Sequence, residues 1–225
     1  ARYSAVKNVF RCARSRSDLA TLETREIIVP AANLPFSNAE YDRRLTLVRA
    51  DMEARGLDAL FVQDPSNMAW ITGYDGWSFY VHQGVLVLPD APPVWWGRGI
   101  DRNGALKTVW MEDDNIRGYS DEYIQTSERH PMQDLAAVLR EKSLDSGRIG
   151  LELDNYYLSA KAYLTLREAL PQATLIDATA LVNWQRGVKS DEEIAFIRRA
   201  AKISEKLVDG VLERVEPGLA KNELV

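Results

Sequence analysis

The chain has 225 residues, 46% of them hydrophobic and 27% charged, which supplies a packed core and excludes wholesale disorder. A net charge of −5 argues against nucleic acid or an anionic membrane as the main partner. One cysteine, Cys12, and two histidines, His82 and His130, exclude a disulfide framework and a multi-cysteine zinc site. No stretch approaches the roughly 18 consecutive apolar residues of a membrane span. With no apolar signal-peptide core, the cytoplasm is the expected compartment.

Residues 1–29 carry six basic side chains against three acidic ones, whereas the remainder is net −8. The shift near Pro30 marks residues 1–35 as a basic leader, expected to be loosely ordered. Regular signals begin at Phe36. Ser37 and Glu40 form a capping box, Phe36 and Tyr41 a hydrophobic staple, and Tyr41, Leu45, Val48 and Met52 recur at helical spacing up to Gly56. Leu57–Val62 reads as a strand, and Asp64-Pro65 as the cap and first position of a helix. Tyr80–Leu88 and Val94–Trp96 read as a hairpin across Pro89–Pro93. A helix over Ile100–Trp110, a strand over Asn115–Tyr119 and a helix from Pro131 follow. Arg148–Leu153 and Thr174–Asp177 read as strands flanking a helix over Ser159–Leu170. This alternation predicts an α/β domain, a mixed sheet covered by helices, over residues 36–185. Ser190 and Glu193 form a second capping box, opening a long amphipathic helix that Glu216-Pro217-Gly218 ends. Residues from Leu219 start one more helix, and the chain is expected to stop within it.

The densest candidate for chemistry is Thr72–Gln83. Two glycines permit turns, four aromatics offer planar walls, and Asp75, His82 and Gln83 supply polar handles. The same aromatics could equally serve as core or dimer contacts. Arg98, between Gly97 and Gly99 after a strand, either reaches into a cleft to pair with a carboxylate or stacks on Trp96. The glycine pair lacks the third glycine of a dinucleotide loop and the Lys of a P-loop. His130 precedes Pro131 and reads as a helix cap, and Glu112-Asp113-Asp114 as a solvated loop. No self-sufficient catalytic constellation emerges: there is no Gly-x-Ser-x-Gly elbow and no metal spacing.

The succession Asp64-Pro65-Ser66-Asn67-Met68-Ala69-Trp70-Ile71-Thr72-Gly73-Tyr74 resembles the signature of the creatinase/aminopeptidase P amino-terminal domain. Lys189–Ile194 with Ala200-Ala201 is similar to that family's entry into its second, pita-bread domain, and Glu216-Pro217-Gly218 to the turn that follows. The resemblance covers Phe36–Val225. Within the family, Gly73–Gln83, Trp96–Gly99, Glu128–Met132 and Glu152–Tyr156 look most like the branch that hydrolyses the cyclic amidine of ectoine.

The resemblance implies that residues 186–225 link to a catalytic domain that this chain lacks. It implies that the chain alone is inactive and supplies neither catalytic residues nor metal ligands. Any divalent metal would sit in the absent domain. It further implies a homodimer in which this domain closes over an active site, with Trp77, Tyr80, His82, Gln83 and Arg98 contacting a small substrate, ectoine or a related compound. A prolidase-like peptidase and a non-catalytic dimerisation module are the alternatives.

Overall fold

Ser37 accepts a hydrogen bond from the Glu40 backbone and so opens helix α1, Asn38–Ala54. The computed structural model describes residues 34–78 and 80–224, so the expected leader, Leu34 and Pro35 apart, lies outside the described residues. The capping box at Ser37 is only half made. The Glu40 carboxylate turns to Arg43 and Arg44, and the Ser37 N–H donates to Glu192 at 3.0 Å. The staple is present, with the Phe36 and Tyr41 rings 6.2 Å apart and edge-on.

The elements that follow are β1 (Ala59–Val62), α2 (Pro65–Thr72), β2 (Gly84–Val87), β3 (Val94–Arg98), α3 (Arg102–Thr108) and β4 (Ile116–Tyr119). Then come α4 (Pro131–Glu141), β5 (Arg148–Leu151), α5 (Ala160–Ala169), β6 (Thr174–Asp177), α6 (Leu181–Gly187), α7 (Asp191–Leu212) and α8 (Lys221–Leu224). Two expectations need correction. Tyr80–Gln83 are not strand, because β2 begins at Gly84. The sequence reading also had no helix at Leu181–Gly187, which starts from Ala180 in the left-handed region without a capping side chain.

The six strands form one mixed sheet in the order β4-β3-β2-β1-β5-β6. β2 pairs antiparallel with β1 and β3, while β1–β5, β5–β6 and β3–β4 are parallel. Five strands therefore run one way and β2 alone runs the other. Side chains alternate between faces along a strand. On one face Leu60, Val62, Val85, Val87 and Trp95 pack against α1, α2, α3 and α6. On the other, Ala59, Phe61, Leu86, Trp96 and Ile149 pack against α4 and α5. The result is a helix–sheet–helix sandwich with apolar strands buried on both sides.

A buried cation ties the start of α7 to the first layer. Arg44 is fully buried and donates to Glu40 at 2.8 Å, to the Trp70 carbonyl at 3.0 Å and to Glu193 at 3.1 Å. Glu193 also accepts from the Trp70 indole at 2.7 Å and completes the capping box with Ser190. Arg43 and Arg44 hold the Glu40 carboxyl down at about 2, against the opposing effect of burial.

Candidate functional site at the carboxyl end of the sheet

Because β2 is reversed, its first residue lies beside the last residues of the other strands: Val62 pairs with Val85, and Gly84 with Trp96. The segments following β1, β3, β4, β5 and β6 and the one preceding β2 thus share one end of the sheet. In open α/β sheets this is the end where ligands bind, at points where successive helices leave on opposite faces. β1 and β5 form such a point, with α2 on one face and α5 on the other.

There the protein fills the crevice with its own carboxylate. Glu152 is buried and accepts from the Gln63 and Asp64 backbones at 2.7 and 2.8 Å, from Asn67 at 2.6 Å and from Asn155 at 3.1 Å. Burial pushes its carboxyl upward, and these hydrogen bonds oppose that shift. Sequence reasoning gave Glu152 no role. It fell inside the expected strand Arg148–Leu153 and opened the Glu152–Tyr156 motif of the family resemblance, whereas β5 ends at Leu151.

The Arg98 side chain closes β3 on the α4/α5 face, in step with Trp96. Its guanidinium grips Asp121 side-on, Nε to Oδ1 at 2.7 Å and Nη2 to Oδ2 at 3.0 Å, while Nη1 donates to the Tyr80 hydroxyl at 3.0 Å. Asp121 raises the guanidinium above its ordinary value and is itself held below the usual carboxylate range. Its first partner is thus a carboxylate of the chain itself, the exposed Asp121.

Beside it lies a second group. The Trp77 indole, 62% exposed, donates to the Tyr157 hydroxyl at 2.9 Å. Burial shifts the His82 imidazole downward, and the neighbouring Tyr157 backbone opposes that shift. His82 and His130 lie with ring centroids 5.0 Å apart. His130 caps α4: Nδ1 accepts from the Met132 N–H at 3.2 Å, and the Gln133 side chain returns to the His130 N–H. The sequence reading of His130 as a helix cap therefore agrees with the structure.

Gln83 stands apart. It lies in step with Val85 and Val87, so its side chain enters the other layer, buried, where its Oε1 accepts from the Tyr74 hydroxyl at 3.0 Å. Burial pushes that phenol up to about 12. The structure thus gathers Trp77 with His82, and Tyr80 with Arg98, at one end of the sheet, and turns Gln83 inward. Asp121 and Tyr157, which the sequence reading did not single out, hold the two groups.

Residues 44–188 match the Creatinase/Prolidase N-terminal domain family. The chain belongs to that family. This creatinase-type domain is 52% identical over 194 residues to ectoine hydrolase of Halomonas elongata, covering 86% of this chain and 49% of that protein. It is 39% identical over 187 residues to an uncharacterized hydrolase/peptidase of Sinorhizobium fredii, covering 83% of this chain and 48% of that one. Among solved structures, an Xaa-Pro dipeptidase from Bacillus anthracis matches with a TM-score of 0.64 at 18% identity, over 82% of this chain and 46% of that chain. This last likeness concerns the fold. The creatinase-type chain spans about half the length of the curated relatives it matches.

Proposed function

We propose that this chain is the amino-terminal part of an ectoine-hydrolysing enzyme, and that the carboxyl end of its sheet forms one wall of the substrate site. The 52% identity to ectoine hydrolase carries this reading. The site chemistry supports it. Ectoine joins a cyclic amidinium to a carboxylate. An exposed indole and phenol offer electron-rich faces to the delocalised cation. Arg98 offers a planar fork for the carboxylate. Because Asp121 holds the Nε edge, the substrate carboxylate is left the Nη1–Nη2 edge beside Tyr80, or displaces Asp121.

In this reaction water adds to the amidine carbon, one C–N bond breaks, and the ring opens to an acetylated 2,4-diaminobutyrate. The water is activated by residues outside this chain. Any divalent metal of the enzyme is placed with those residues as part of the same proposal. The domain closes over the active site of a second copy in a homodimer, which accounts for the exposure of Trp77 and Tyr80. The apolar residues Ile203, Leu207 and Val211 that α7 leaves exposed give the remainder of the enzyme a surface to pack on. The cytoplasm is the compartment this proposal gives the enzyme.

The test is kinetic. In the complete enzyme Trp77→Ala and Arg98→Ala should each raise KM for ectoine, and wild-type kinetics in both would remove the proposed wall.

A further inference from the structure

The Trp77–His82 segment is fastened to a residue on another loop, Tyr157. The Trp77 indole N–H donates to the Tyr157 hydroxyl at 2.9 Å. Tyr157 is itself anchored: its N–H donates to Asn155 Oδ1 at 2.8 Å, and Asn155 Nδ2 donates to the buried Glu152 at 3.1 Å. Glu152 in turn holds the Gln63 and Asp64 backbones at the end of β1. A continuous chain of hydrogen bonds therefore runs from the centre of the sheet to an indole that is mostly in solvent.

We infer that Tyr157 is the positioning residue of the aromatic segment, fixing the indole plane of Trp77 for the substrate while making no contact with the reacting atoms itself. The inference rests on the proposed reading that Trp77 faces the substrate. An exposed indole without a fixed partner samples several rotamers, and binding must then select one of them, which weakens affinity. Tyr157→Phe removes the hydroxyl and nothing else, so the packing of the ring is retained.

In the complete enzyme Tyr157→Phe should raise KM for ectoine about threefold to tenfold, the range that one net hydrogen bond supplies, with kcat within about twofold. Trp77→Phe should raise KM at least as much. The double variant should be no worse than Trp77→Phe alone, because the two residues act through one bond. A purely structural role for Tyr157 would instead give additive effects or a loss of kcat, and either result overturns the inference. In the 225-residue chain, the indole N–H resonance that disappears in Trp77→Phe should shift and exchange faster with water in Tyr157→Phe. An unchanged resonance also overturns it. If Trp77→Phe leaves KM untouched, the proposed substrate wall is what fails, and the resonance still decides whether Tyr157 positions the indole.

Discussion

The imidazole rings of His82 and His130, the only two histidines in the chain, lie 5.0 Å apart although 48 residues separate them. Strand parity brings them together. His82 is in step with Leu86 and so faces the layer containing α4, whose first turn His130 caps. Since His130 Nδ1 accepts a backbone hydrogen bond, the neutral ring carries its proton on Nε2.

This pairing makes stability depend on pH in a defined direction. Burial, then His82 and Lys161, hold His130 down at about 4, whereas an unfolded histidine titrates near 6.5. Between these values the unfolded chain binds the extra proton, so stability is fully present above about 6.5 and falls as pH drops toward 4. After discounting for partial exposure the loss is about 1–2 kcal/mol. Denaturant melts from pH 7 to pH 4.5 should show this loss in wild type. They should show less of it in His130→Asn, which keeps a capping side chain. Equal pH dependence in both proteins would contradict the pairing.

Arg44 should matter more to stability than any exposed charge. Its removal takes the ion pair from the buried Glu193 and leaves Glu40 with Arg43 alone, at the meeting of α1, α2 and α7. Breaking a buried ion pair from one side typically costs about 3–5 kcal/mol. Arg44→Ala should shift the urea midpoint accordingly, whereas Arg129→Ala, at an exposed pair with Glu122, should leave it within error.

Gly84 marks where the aromatic segment ends and β2 begins. A Cβ there would come within 2.4 Å of the Phe61 ring and 2.9 Å of the Val62 carbonyl. Gly84→Ala should cost about 1–3 kcal/mol through overpacking, measured by thermal melting. Gly104→Ala, where a Cβ meets nothing within 4 Å, is the control and should be neutral or mildly stabilising.

Replacing Arg98 by Lys keeps the positive charge and loses the planar fork. KM for ectoine should rise about tenfold, as expected for loss of a bidentate contact, and the melting temperature should stay near wild type because Asp121 is exposed. A kcat effect without a KM effect would argue against a carboxylate-binding role.

Much of this fold was legible because its signals are local. Asp64-Pro65, His130-Pro131 and Ser190–Glu193 each open a helix with bonds spanning only a few residues. The half-made box at Ser37 shows the limit of such rules. Glu192, 155 residues away, takes the N–H that Glu40 was expected to satisfy. The site was harder to read. Arg98 and Trp77 stood out by composition, but their partners Asp121 and Tyr157 lie 23 and 80 residues away and carry no local signature. Gln83 was grouped with His82 because they are neighbours, yet adjacent residues at a strand entrance face opposite layers.

The most direct measurement is product analysis of the complete enzyme incubated separately with ectoine and with an Xaa-Pro dipeptide. Acetylated 2,4-diaminobutyrate from ectoine and an intact dipeptide are the expected result. Unchanged ectoine together with a cleaved dipeptide would contradict it.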